Sequence, residues 1–523
     1  MLVSRKHKKL VLRLKDPERV LSVIPKAKKF TANGKEYIAV HHGVDEVAVL
    51  NNIGIQAPAP ILHYYDWPGR FKPFEHQKDT AAFLTKFTRS FCLNGMGTGK
   101  TLSLLWAYDY LRLEGAVKKM VVITPLSTLE RTWADEMFSH FPHLEFAVLH
   151  GTRDKRLLLL EQDVDVFLIN HDGIKVSGFV EAMKNRPDID LVVIDEIAQV
   201  ARKAGTERYR ALLDIVNRQH PRRAIGLTGT PTPNAPTDAW AQCRLIVPER
   251  VPPYFNRFKD QVMRQVSTYS WVAREDAMEV VQEAMQPAIR YSLEECIDLP
   301  ECIYETRHVE LTKEQAAAYK DMVNKLRIEL EKGDITAANE AVKAQKLIQV
   351  ATGVVYDGNG NECDLNAKPR IDVLLEVIES AGAKVIVFVP FVAVAERLAA
   401  KIREAGYSVG VIVSGTSKSA RDDIFSGFQK GTDPHVIVAS PGTMSHGLTL
   451  TAANTIVWFG PIASNDIFQQ ANARVRRPGQ KYTQLIVMIE GTPIERKYYQ
   501  RLKDKEKVQG LLLDAIQDAR VST

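Results

Sequence analysis

The apolar positions of this chain follow two regimes. Up to about residue 70, short alternating runs (Leu10-Val11-Leu12-Arg13-Leu14, Tyr37-Ile38-Ala39-Val40, Glu46-Val47-Ala48-Val49-Leu50) are separated by Asn33-Gly34, His42-Gly43 and Asn51-Asn52. Period-two apolarity between turn residues predicts a small β-containing module over 1–70, with Ala57-Pro58-Ala59-Pro60 as its exit linker. From Phe71 the pattern changes. Runs that are apolar throughout, Phe91-Cys92-Leu93, Met120-Val121-Val122-Ile123, Val166-Phe167-Leu168-Ile169, Leu191-Val192-Val193-Ile194 and Ile225-Gly226-Leu227, alternate with stretches of helical periodicity. Such runs fit parallel strands covered on both faces. The alternation lapses from about 235 to 365, where Pro248, Pro252 and Pro253 interrupt it and Glu314 to Gln349 reads as long amphipathic helix. It resumes with Lys384-Val385-Ile386-Val387-Phe388-Val389, Val409-Gly410-Val411-Ile412-Val413, His435-Val436-Ile437-Val438-Ala439-Ser440 and Thr455-Ile456-Val457-Trp458-Phe459. The expected fold class is α/β, with two parallel-sheet lobes, helical insertions and a small N-terminal β-containing domain.

Length and composition narrow the class. At 523 residues the chain exceeds one hydrophobic core, and 45% hydrophobic with 25% charged residues is ordinary for a globular protein. Five cysteines (Cys92, Cys243, Cys296, Cys302, Cys363) form no C-x-x-C pair and no His/Cys cluster, which argues against a zinc site and a disulfide framework. No run of 18 apolar residues and no secretory signal is present, so no membrane partner is expected. The net charge of +6 is unevenly spread. Residues 1–35 carry eleven Lys or Arg against Asp16 and Glu18, net +9, so the remainder is net −3. A basic leader of this kind fits a phosphate-backbone contact; a solvated basic face or an import tag would look the same.

The candidate chemistry lies at the ends of the strand-like runs. In Leu93-Asn94-Gly95-Met96-Gly97-Thr98-Gly99-Lys100-Thr101, glycines between a strand and a helix allow backbone amides to turn onto an anion. Lys100 adds charge and the Thr101 hydroxyl a ligand for Mg²⁺, which makes this a triphosphate cradle built from Gly97, Thr98, Gly99, Lys100 and Thr101. The common longer loop form has glycine where this chain has Asn94. Gln77, just ahead of the loop, is either an adenine-reading side chain or a surface glutamine. Asp195 and Glu196 end the run Leu191-Val192-Val193-Ile194. Asp195 is placed to hold Mg²⁺ through water and Glu196 to orient and deprotonate the attacking water. Thr228-Gly229-Thr230 ends another run, and its two hydroxyls can sense the γ-phosphate and pass its presence on. Trp133 reads as core. The second half has no glycine-lysine loop. It offers Gln470, Arg474 and Arg477, which on a helix would share one face and allow two guanidinium groups to reach a transferring phosphate.

Taken in order, these stretches resemble the helicase-like ATPases of superfamily 2, and within them the Snf2 family, over roughly residues 71 to 515. The matching positions are Gly97-Thr98-Gly99-Lys100-Thr101, Thr124-Pro125, Asp195-Glu196, Thr228-Gly229-Thr230-Pro231 with Asn234, Gly447-Leu448-Thr449-Leu450, and Gln470, Arg474 and Arg477. Leu311-Thr312-Lys313-Glu314-Gln315, Arg477-Pro478-Gly479-Gln480 and Gly491-Thr492-Pro493-Ile494-Glu495 are similar to Snf2 segments in particular. Three positions depart from the family. Asp195-Glu196 continues as Ile197-Ala198 where Ala-His is usual, Thr449 stands where Asn is usual, and Ala463-Ser464-Asn465-Asp466 replaces Trp-Asn-Pro.

The resemblance implies two RecA-like lobes, 71–245 and 368–490, with a helical insertion and linker at 246–367, a C-terminal helical brace at 491–523 and the accessory domain at 1–70. It implies a DNA-stimulated ATPase that uses ATP and Mg²⁺ and translocates on duplex or forked DNA as a monomer, with Gly447 joining Thr228, Gly229 and Thr230 in coupling. Its compactness suggests a bacterial or phage motor in the cytoplasm of its host, or the nucleus if the source is eukaryotic. Alternatives are a strand-separating or annealing helicase on forked or recombining DNA, and an ATP-gated binding module acting on RNA polymerase or a nuclease. The N-terminal domain is a candidate surface for a protein partner.

Overall fold

Alternation in the first 41 residues becomes a four-stranded antiparallel sheet. In the computed structural model, which describes residues 1–218, 223–267, 270–296, 299–331, 337–356, 362–444, 449–477 and 479–503, strands β1 (Leu2–Ser4), β2 (Lys9–Leu12), β3 (Lys28–Ala32) and β4 (Lys35–His41) take the order β1-β2-β4-β3. Leu10, Leu12, Ile38 and Val40 cluster with Val20, Ile24, and Val47 and Leu50 of the helix Val44–Asn52. The expected exit linker is not a tether. Ala57 closes that cluster, and Ala59 packs with Val44 into the core of the next sheet.

The described chain divides into two compact units, one ending at Cys296 and one following it. The larger sheet of the first unit is built from β5 (Arg89–Cys92), β6 (Lys119–Thr124), β7 (Phe146–Val148), β8 (Val166–Asn170), β9 (Ile189–Asp195) and β10 (Arg223–Leu227). A hairpin follows, β11 (Met263–Ser267) with β12 (Ser270–Ala273), and then β13 (Ala288–Ile289). The order is β13-β5-β10-β9-β6-β8-β7 with every pairing parallel. Successive residues of these strands feed opposite cores. Val121, Ile123, Val192 and Ile194 belong to one, and Met120, Val122, Leu191 and Val193 to the other. Burial on both faces explains why the runs read as continuously apolar.

The second unit holds β14 (Cys302–His308), a hairpin of β15 (Val354–Tyr356) and β16 (Glu362–Asp364), then β17 (Lys384–Phe388), β18 (Val409–Ile412), β19 (Val436–Ala439), β20 (Ala453–Trp458) and β21 (Gln484–Glu490). Its sheet has the order β14-β21-β20-β17-β19-β18, again parallel throughout. A buried ion pair ties the unit together. Arg370 Nη2 lies 2.8 Å from Glu495 Oε1, and Nη1 donates to the Phe459 and Ile489 carbonyls.

Within 246–367, expected as a helical insertion and linker, two strands join the flanking sheets. β13 adds an edge strand to the first sheet and β14 an edge strand to the second, so the boundary falls after Cys296. A two-residue strand has no period to read, and β14 is mostly exposed. The long helix at Glu314–Gln349 is two helices, Lys313–Glu331 and Ala337–Thr352. Residues 493–503 are helical, and the rest of the expected C-terminal brace lies outside the described residues.

Candidate nucleotide site

β5 runs buried through Leu93 and Asn94 before the chain turns. Gly97 and Gly99 take left-handed backbone, φ +80° and +81°. A Cβ at position 99 would also lie 2.1 Å from Gln77 Nε2, so glycine alone fits there. The helix Lys100–Leu113 begins at the next residue, leaving its first N–H groups without helical partners. Lys100 Nζ donates to the Asn94 and Gly95 carbonyls (3.0 and 3.1 Å), and Thr98 Oγ1 donates to the Gly95 carbonyl (2.8 Å). Thr101 is half-buried in the first turn. The result is a closed turn around a lysine, with helix N–H groups at its rim, an arrangement chemically able to receive a phosphate.

Gln77 is buried and belongs to this loop. Its Oε1 accepts the Phe74 N–H (3.0 Å), and its Nε2 donates to the Thr98 carbonyl (3.3 Å), which also accepts from His76 Nε2 (2.9 Å). Burial lowers the His76 pKa, which keeps that imidazole neutral. Asn94 has a structural explanation that glycine could not supply. It is fully buried, its Nδ2 donates to Thr80 Oγ1 (2.8 Å), and its Oδ1 accepts the Tyr291 N–H (2.9 Å). The segment around β13 thus lines the loop, with the Ile289 and Tyr291 carbonyls accepting from Leu93 and Gly95 (both 2.8 Å). Arg290, buried in that segment, reaches to 3.3 Å from where a Cβ on Gly95 would lie. No sequence period marks either residue.

The acid pair and the hydroxyl turn lie beside the loop. Leu227 is in register with Cys92 on one side and Asp195 on the other. Neighbouring strands sit about 4.8 Å apart, so the phosphate loop, Thr228-Gly229-Thr230 and Asp195-Glu196 emerge side by side at the carboxyl edge of the sheet. A Cβ on Gly229 would stand 3.4 Å from the Asn94 carbonyl oxygen, which puts this turn against the loop. Thr228 Oγ1 accepts the Thr230 N–H (3.2 Å). Burial pushes the Cys92 thiol up to about 11, with Lys100 opposing the shift and Asp195 adding to it.

Asp195 is gripped from three directions. Its Oδ2 accepts from Thr124 Oγ1 and from Trp133 Nε1, both at 2.9 Å, and its Oδ1 accepts the Glu196 N–H at 3.0 Å. Its carbonyl accepts from His171 Nε2 (2.8 Å), whose pKa burial lowers. Glu196 has φ +49°, left-handed backbone that a β-substituted residue adopts at a cost, as at many functional turns. Trp133 is fully buried, as core residues are, but it also holds a carboxylate. It lies in a π-helical turn, Leu129–Ala134, whose wider spacing changes the phase of the helix there. Sequence spacing does not reveal that.

Asp195 and Thr101 fit a magnesium ion that relies mainly on phosphate oxygens and water. Among the described residues no cluster of three or more His, Cys, Asp or Glu offers a full protein cage.

In the second unit, Gln470 is buried in the helix Asn465–Asn472. That helix ends before the arginines, so residues 470, 474 and 477 do not share a helical face. The Arg474 N–H bonds to the Ala471 carbonyl (3.2 Å), a tightened last turn, and the approach to Pro478 disfavours further helix. Arg474 is buried and its carbonyl accepts the Leu450 N–H (3.0 Å). Arg477 Nη1 donates to Thr449 Oγ1 (3.1 Å), so the threonine that departs from the family carries a partner for this arginine. Gly447 lies outside the described residues.

Two parallel α/β sheets, a phosphate loop with an adjacent acid pair on the first, and a loopless second half define a helicase-like ATPase. Comparison with known proteins agrees. Residues 76–355 match the SNF2-related domain and residues 369–479 the helicase conserved C-terminal domain. The chain belongs to the SNF2-related family. It is 26% identical over 469 residues to protein p41 of Acyrthosiphon pisum secondary endosymbiont phage 1, covering 85% of this chain and 99% of that one. It is 22% identical over 419 residues to the ATP-dependent helicase MG018 of Mycoplasma genitalium, covering 79% of this chain and 39% of that one. It thus spans nearly all of the phage protein and well under half of the bacterial one. Among solved structures it is similar to the Sulfolobus solfataricus SWI2/SNF2 ATPase core in complex with dsDNA, at 24% identity and TM-score 0.41, covering 86% of this chain and 94% of that one.

Proposed function

We propose that this Snf2-family ATPase couples ATP hydrolysis to movement along double-stranded DNA, and so remodels DNA or DNA-protein complexes. The supporting observation is a division of chemistry between the two halves. The first has Lys100, Thr101, Asp195 and Glu196 beside the Thr228-Gly229-Thr230 turn. The second has no glycine-lysine loop but carries Gln470, Arg474 and Arg477. Lys100 binds the β- and γ-phosphates, Gln77 selects adenine, and Glu196 orients and deprotonates the attacking water. Thr101 and Asp195 would hold magnesium, which would neutralise charge on the phosphates. Arg474 and Arg477 supply positive charge to the transition state, and replacing either with Ala lowers turnover by up to about 10³- to 10⁵-fold.

The test is ATPase activity on duplexes of increasing length, with displacement of a third strand from a triplex as the readout of movement. Turnover that rises with length, together with triplex displacement, is the expected result. Turnover independent of length makes the protein an ATP-gated binding module. Unwinding of a fork without triplex displacement makes it a strand-separating helicase. Lys100→Ala abolishes hydrolysis and spares DNA affinity; retained turnover refutes the site.

A further inference from the structure

The N-terminal sheet has one face covered and one bare. With Leu10, Leu12, Ile38 and Val40 turned into the core, strand alternation and register put Leu2, Lys9, Val11, Lys28, Phe30, Lys35, Tyr37, Ala39 and His41 on the other face. Directly paired Phe30 and Tyr37 stack there, ring centroids 5.6 Å apart at 25°, and Phe30 is 39% exposed. Lys28 and Lys35 are exposed two residues from the rings along their own strands, and Lys9 and His41 are exposed as a directly paired couple further along the same face. No Asp or Glu stands on this face. The nearest acid in the strands, Glu36, is on the core-side register and pairs with Lys29 at 3.1 Å. None of Lys9, Lys28 and Lys35 is in an ion pair among the described residues.

An exposed aromatic pair is out of place on a solvated sheet face, where polar residues normally alternate outward. On a face that carries lysines and no anions, it matches a ligand that has both flat faces and negative charge. We infer that the outer face of β1–β4 binds single-stranded nucleic acid, with bases on Phe30 and Tyr37 and phosphates on Lys9, Lys28 and Lys35. A duplex is the poorer occupant because its bases are already stacked on one another. The inference rests on the DNA-acting reading above and adds a second contact, on unpaired strands, outside the ATPase sheets.

The experiment uses the full chain and fluorescein-labelled oligo(dT), read by anisotropy, with duplex-stimulated ATPase measured alongside. Stacking is worth a factor of about five or more for each base. Phe30→Ala with Tyr37→Ala weakens oligo(dT) binding at least about tenfold, and Phe30→Trp with Tyr37→Trp retains it. Lys9→Ala, Lys28→Ala and Lys35→Ala together flatten the log-log salt dependence by about 2, near 0.7 for each phosphate no longer neutralised. Unchanged oligo(dT) affinity in the double Ala variant overturns the inference, as does an equal loss in the Trp variant. A wild-type protein whose ATPase ignores duplex DNA refutes the translocase reading instead, and leaves this one to stand or fall by the oligo(dT) result.

Discussion

Asp195 offers a way to test whether the site depends on the packing behind it. Its Oδ2 receives two buried donors, Thr124 Oγ1 and Trp133 Nε1. Trp133→Phe keeps an aromatic ring and removes the N–H; Thr124→Val keeps the branch and removes the hydroxyl. Each takes one charge-assisted hydrogen bond, worth about 1.5–3 kcal/mol, from the carboxylate that on the proposed mechanism would hold the metal. At about 1.4 kcal/mol per tenfold, the expected loss of turnover is about 10- to 150-fold for each variant, with ATP affinity much less affected. The assay is steady-state ATPase with saturating DNA over a magnesium titration, paired with thermal unfolding, because Trp133→Phe also leaves a small cavity. Since both donors serve one oxygen, the double variant should show a coupling energy of at least about 0.5 kcal/mol instead of simple addition. Both single variants turning over like the wild type would refute the claim that these bonds orient Asp195.

Gly99→Ala forces a Cβ to within 2.1 Å of Gln77 Nε2 and strains a φ of +81°, so ATP binding measured by titration calorimetry should be lost. Adding Gln77→Ala removes the clash but neither the strain nor the need for the adenine contact proposed for Gln77, so binding should not return. In the second unit, Arg370→Met leaves Glu495 buried without its guanidinium and should destabilise by about 3–5 kcal/mol in denaturant unfolding, with much of the loss recovered by adding Glu495→Leu. His76 and His171 have pKa values lowered by burial, so the unfolded chain binds more protons just below the ordinary value of 6.5. Stability from these groups is present above pH 6.5 and falls as the pH drops below it, and His171→Gln should flatten the fall in unfolding midpoint between pH 7 and roughly 5.5.

What the sequence determined by itself was whatever depends on order along the chain. Apolar runs such as Leu191-Val192-Val193-Ile194 announce parallel strands because both faces are buried, and the residues at their ends are the candidates for the chemistry because an open sheet exposes those ends. The glycines at 97 and 99 were legible for a local reason, the left-handed backbone that the turn requires. What only the tertiary structure decided was pairing between distant segments. Strand order brings Cys92, Leu227 and Asp195 into one row, Trp133 reaches Asp195 from 62 residues away, and Asn94 meets Tyr291 across 197. The helix after Ser464 shows the same limit in a short span, since spacing put Arg474 and Arg477 on its face and a tightened turn took them off it. Spacing specifies neighbours along one element, whereas contacts across elements follow from how the cores pack.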